Sequence, residues 1–163
     1  MKSLLLSIVM FFCIEHSDYY LSIKKSLELQ SSSVDQISSY LTTHGWKLSL
    51  KEAETDSTRG SVEWSFDNKN GQSKAWFGVH YTEGEPNRLI YQILSKEDYD
   101  GLEKQIKGLG FVRHRTTMRK TGIRKVYRNK DNVISVDVST EGGITGYLFS
   151  FYSIDDYMNN LDK

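Results

Sequence analysis

Any chemistry in this chain must come from its histidines, carboxylates and cations, because the sequence carries no nucleophile or metal signature. The four histidines are His16, His44, His80 and His114, and none has a second His or a carboxylate at a metal-ligand spacing such as H-E-x-x-H. Cys13 is the single cysteine, so neither a disulfide within the chain nor a cysteine-based metal site is expected. There is no G-x-S-x-G elbow and no phosphate-cradling Gly-rich loop. Gly142-Gly143 reads instead as a hairpin turn. No cofactor is implied. A pair of carboxylates that meets only in space is the one catalytic route left open, and the enzyme reading ranks last.

The cations are unevenly placed. The 21 basic and 21 acidic residues cancel, so net charge points to neither nucleic acid nor a membrane. Yet Arg113, Arg115, Arg119, Lys120, Arg124, Lys125, Arg128 and Lys130 occupy one hairpin with no acidic residue among them. Arg113, Arg115 and Arg119 alternate, which predicts a shared strand face, and with Arg124 they form a candidate anion-binding set. The matching hairpin upstream carries Glu52, Glu54, Asp56, Glu63 and Asp67, a complement for the basic one within one chain or between two. The plain alternative is a solvated strand pair.

Lys2 followed by an apolar run from residue 4 to residue 14 resembles the first two parts of a secretory signal. The run is too short for a bilayer core, which needs about 20 residues. No small-x-small cleavage site follows it. The reading is a leader over 1–17 and export to the periplasm, the envelope or the medium; without a working leader the compartment is the cytoplasm. Export would separate the chain from nucleic acid.

The elements that must position these groups repeat. Ser95-Lys-Glu-Asp-Tyr99 recurs as Ser153-Ile-Asp-Asp-Tyr157, and Thr82-Glu83-Gly84 as Thr140-Glu141-Gly142 at the same offset. Upstream, Ile37, Leu41, Gly45 and Trp46 align with Leu102, Ile106, Gly110 and Phe111. Each copy begins with apolar residues at helical spacing behind a candidate N-cap, Ser33 or Asp98, and closes on a glycine. Strands are expected at 46–52, 61–67, 75–81 and 88–94, then at 111–118, 123–128, 133–139 and 145–152. Their connections are too short for parallel crossovers, so the strands are antiparallel. The expected fold is α+β: a duplicated α-β-β-β-β unit over 33–94 and 95–153, in one sheet or two, with helices on one face. An N-terminal extension, 18–32, packs on the first copy, and a tail, 154–163, restarts the helix pattern.

In element order the chain resembles the beta-lactamase inhibitor proteins, which also double a helix-plus-four-strand unit. It lacks their paired cysteines, so the resemblance implies the architecture and not inhibition. With its helix ending in Leu-x-x-x-Gly-Trp, it is also similar to small exported bacterial proteins of unknown function. That likeness implies a compartment.

Strand alternation sorts core from surface. Ile134, Val136 and Val138 should face the helices, as should Leu89, Tyr91 and Ile93. Repeat equivalence then places Trp76, Gly78 and His80 in the core, with Phe77, Val79 and Tyr81 opposite. The expected binding face is therefore Phe77, Tyr81, Ile90, Leu94, Leu148 and Tyr152, an apolar surface suited to a protein partner. The N-terminal segment, the other copy or a second subunit in a homodimer would also cover it. The functional expectation is an exported, non-catalytic interaction protein, inhibitor-like or envelope-associated, with an anion-binding protein as the alternative.

Overall fold

The computed structural model describes residues 20–69 and 72–160, so the leader with Cys13 and His16 lies outside the described residues. Four helices and eight strands follow one another as α1 (Ile23–Gln30), α2 (Val34–Thr43), β1 (Lys47–Glu52), β2 (Gly60–Phe66), β3 (Ala75–Tyr81), β4 (Arg88–Ile93), α3 (Lys96–Gly108), β5 (Val112–Arg119), β6 (Gly122–Arg128), β7 (Asn132–Glu141), β8 (Ile144–Ser153) and α4 (Ile154–Asn160). The fold is α+β, and all eight strands form one continuous antiparallel sheet in the order β1-β2-β3-β4-β8-β7-β6-β5. Two four-strand meanders thus join through β4 and β8, and the pairing there is symmetric about Tyr91 opposite Phe149. Among the described residues no helix is long and apolar enough to cross a membrane.

Local sequence explains the helix ends. Ser33 caps α2 in a reciprocal box with Gln36, satisfying first-turn N–H groups that have no helical partner. In α3 the cap is Ser95, whose Oγ accepts from the Asp98 N–H, so Asp98 lies inside the helix and is not its cap. Both helices close on left-handed glycines, Gly45 (φ 82°) and Gly110 (φ 79°). The next residue in each case, Trp46 or Phe111, donates back to the Leu41 or Ile106 carbonyl and enters the core.

The main core lies between the sheet and α1 to α3. Ile37, Leu41, Leu102 and Ile106 meet Trp64, Phe77, Val79, Leu89, Tyr91, Ile134, Val136, Phe149 and Phe151 there, all fully buried. The extension forms α1, which packs over β4 and β8 beside α3, at the centre of the sheet and not on one half. Its entry is fixed by Tyr20 and the Ile23 N–H, both bonded to Gln105, and by the Leu21 N–H on the Tyr91 hydroxyl.

One strand is turned over relative to the sequence expectation. Phe77 and Val79 point into the core, while Trp76 and His80 are half-buried on the other face of the sheet, together with Gly78. The reason is turn length. Val79 lies opposite Leu89 and Val138 opposite Tyr147, so the stretch between these paired positions is one residue longer in the first hairpin than in the second. A one-residue slip moves every side chain of a strand to the other face. The Thr82-Glu83-Gly84 match sits inside that stretch and conceals the insertion. β4, β7 and β8 have the expected faces.

The tail does form a helix, and α4 packs on the sheet face opposite α1 to α3. Tyr157 lies against Val126, Val133 and Tyr152 there. Asp156 accepts two hydrogen bonds from Arg88, at 2.6 and 2.7 Å, and pairs with Arg59 at 3.7 Å. This buried carboxylate pins the helix over β6 to β8.

At the far hairpin the strands leave no room for a side chain at Gly122. A Cβ there would sit 1.9 Å from the Val138 carbonyl oxygen and 2.9 Å from the Ser139 Cα, both backbone atoms that no rotamer change relieves. Gly122→Ala should therefore destabilise by about 1–2 kcal/mol, limited because the hairpin end can splay. In thermal melts that is a drop of about 5 °C. Gly108→Ala, in open space at the end of α3, should be neutral or stabilising. Equal melting temperatures for the two variants would refute this register of β6 on β7.

Candidate binding face

The half of the sheet face opposite α1 to α3 that no described element covers is the candidate site. Because cross-strand partners share a face, its side chains form rows. One row runs Glu63, Gly78, Ile90 and Ser150, and the next runs Ser65, Trp76, Gln92 and Leu148. Glu63, Trp76, Gly78, Ile90, Gln92 and Leu148 line a hollow of about 280 Å³. Gly78 makes it possible: a Cβ there would come 2.6 Å from the Ile90 Cγ1 and fill the floor. A second hollow of about 540 Å³ shares Ile90 and continues to Arg59, His80, Arg88 and Tyr152.

The polar groups of the two hollows differ. In the second, Arg88 and Arg59 are occupied by Asp156, and Arg59 also bonds Glu85. Burial, helped by the nearby Arg88 and Arg59, lowers the His80 pKa against the pull of Glu63, so this imidazole is neutral at pH 7. In the first hollow, the carboxylate of Glu63 and the amide of Gln92 have no hydrogen-bond or ion-pair partner among the described residues. Trp76 is partly exposed, while Trp46 and Trp64 are buried at 2% and 0% exposure. An aromatic plane, a free carboxylate, a free amide and two aliphatic walls can recognise a ligand. Among the described residues no group of three or more His, Cys, Asp or Glu is placed to hold a metal ion.

Of the residues expected to form the binding face, three are there. Ile90 and Leu148 line the first hollow, and Tyr152 lines the second while packing on Tyr157. Phe77 borders the first hollow, but it is fully buried and its ring is core, with rings of Trp46, Trp64 and Tyr91 within 6.5 Å. Tyr81 has the same facing and closes over Gly60 on the helix side. Leu94 lies past the end of β4, beside Asp67 and Ser95. Glu63, Trp76 and Gln92 escape a reading by strand alternation. The signal that marks them is Gly78 inside an otherwise apolar strand, where a missing side chain signals close approach.

The basic hairpin does not form one cationic face. A bulge at His114 makes Arg113 pair with Tyr127 but Arg115 with Val126, so the two arginines point to opposite sides of the sheet. Arg113 lies 3.6 Å from Glu103 of α3. Arg115, Arg119 and Arg124 share the other face. There Arg124 bonds Asp137 at 2.7 Å, Arg119 lies 3.7 Å from it, and Arg115 donates to the Tyr157 hydroxyl. The acidic hairpin cannot reach them within one chain, because β1 and β5 are the two outer edges of the sheet.

A further hollow, about 850 Å³, lies among loops near Gln30, Glu54 and Asn87. Its walls are largely tied to each other: Gln30 bonds the Asn87 carbonyl, Asn87 bonds the Ser32 carbonyl, and Glu54 accepts from the Glu83 N–H. Comparison of the chain with protein-family models, with curated proteins and with solved structures finds no match.

Proposed function

We propose that the chain is a non-catalytic binding protein that engages a protein partner through the open half of its sheet, over β2, β3, β4 and β8. The carrying observation is the unequal cover of this face. Tyr157 and Asp156 of α4 seal the β6 to β8 half, while Trp76, Ile90 and Leu148 stay partly exposed around Gly78 on the other. A half-apolar concavity with a few free polar groups is the usual make-up of a recognition site. The Lys2-led apolar leader supports export, to the envelope or the medium.

The test is capture from the native source with the tagged full-length chain, at low and at high salt. The partner should stay bound at high salt, because screening weakens apolar contacts little. It should be lost from Trp76→Ser/Leu148→Asp protein whose circular dichroism is unchanged. A partner indifferent to that pair, but released by salt and by charge reversal of Arg115 and Arg119, would move the interface to the basic hairpin.

A further inference from the structure

We infer that the hollow over Gly78 is a socket for a basic side chain, a lysine or arginine, supplied by the partner; this rests on the open-face reading above and names the chemistry of its contact. Glu63 is the reason. Its carboxylate lies half-buried beside Gly78, with no cation paired to it among the described residues. Docking any partner on this face strips the remaining water from that carboxylate, which opposes binding unless a counter-charge arrives with the partner.

Among the described residues no cation is paired to that carboxylate. The nearest cations on this half of the face are Lys47, at the sheet edge beyond Ser65, and Arg88 with Arg59, both committed to Asp156. His80, the nearest titratable group in the adjoining row, is held neutral by burial.

The rest of the hollow suits an alkyl stem that ends in a cation. Ile90 and Leu148 offer aliphatic walls for the methylenes. The Trp76 indole offers a π-face for an ammonium or guanidinium, and the Gln92 amide offers a carbonyl acceptor. An incoming carboxylate would face Glu63, and a purely apolar side chain would leave both Glu63 and Gln92 dehydrated and unpaired. One such ion pair adds little salt dependence, so the socket is consistent with an interface that survives high salt.

Trp76 provides the readout. Of three indoles only this one is exposed to solvent, so its N–H signal in an amide-correlation spectrum of the full-length chain reports the hollow alone. The probes are agmatine, a guanidinium and an ammonium joined by a four-carbon stem, and n-butanol and butyrate as neutral and anionic counterparts of that stem. Agmatine should shift the Trp76 signal in a saturable way while Trp46 and Trp64 stay still, and butyrate should not. Glu63→Gln, isosteric and uncharged, should weaken the agmatine response at least tenfold and leave any butanol response unchanged. A Trp76 shift with butanol or butyrate as large as with agmatine would overturn the basic-side-chain assignment while leaving the open face as the interface. No shift with any probe would also overturn it. Loss of partner capture on Trp76→Ser/Leu148→Asp, but not on Glu63→Gln, would retain the face and reject the socket.

Discussion

Phe77→Ala should cost about 3–5 kcal/mol of folding stability, whereas Trp76→Ala, one residue away and the larger truncation, should cost less, about 1–2 kcal/mol. Phe77 has no solvent exposure and lies within 6.5 Å of the rings of Trp46, Trp64 and Tyr91, so its removal leaves a void that its aromatic neighbours and the strands cannot collapse into. Trp76 lies partly exposed on the other face, where its loss widens a hollow already open to water. Urea unfolding followed by circular dichroism measures both. Similar midpoint losses, or a larger loss for Trp76→Ala, would mean that β3 presents the opposite face to the helices. The same pair separates stability from binding: Trp76→Ala should lose the partner and stay folded, and Phe77→Ala should lose both together.

That contrast also shows what is legible in the sequence. Helices closing on Gly45 and Gly110 and the turn at Gly142-Gly143 are set by short-range chemistry, and they appear in the chain as they do in the fold. The apolar residues of β4, β7 and β8 alternate clearly, because one face of each strand is buried by α1 to α3. β3 reads Ala-Trp-Phe-Gly-Val-His-Tyr, apolar or aromatic on both faces, so alternation could not choose between them. Only the turn length decides its register, and the Thr-Glu-Gly match hides the extra residue there. The bulges next to Ser49 and at His114 leave no compositional trace, yet the second one sends Arg113 and Arg115 to opposite faces. The position of α4 is equally hidden. A seven-residue tail shows a helical pattern, but only Tyr157 on Val126 and Val133, with Asp156 on Arg88, shows which face it covers.

Acid should unfold the protein largely through Glu103, on the helix face between α3 and β6. Burial alone would raise this carboxyl, but hydrogen bonds from Lys125 (2.9 Å) and from the Tyr127 hydroxyl, with the charges of Lys125 and Lys107, outweigh it and hold its pKa at about 2, against 4.5 for an ordinary Glu. The folded state therefore keeps Glu103 ionised where the unfolded chain has already taken up a proton. Its contribution is fully present above about pH 4.5 and is lost as pH falls toward 2. At 1.36 kcal/mol per pKa unit, and with the carboxylate 15% exposed, that contribution is about 3 kcal/mol. Glu103→Gln removes the charge, leaves Lys125 of the same cluster without its carboxylate, and keeps an acceptor for Tyr127. Urea midpoints of the two proteins should differ most at pH 7, converge steadily below about pH 4.5, and nearly meet at pH 2. A difference that stays constant across this range would show that Glu103 acts through packing alone and that its ionisation contributes nothing to holding α3 on the sheet. Asp156, which burial would raise but Arg88 and Asn160 pull below the usual carboxylate range, acts in the same direction on the other face. The acid limb of the Glu103→Gln variant should therefore flatten without disappearing, and what remains should be the loosening of α4 from the face that it shares with the proposed socket.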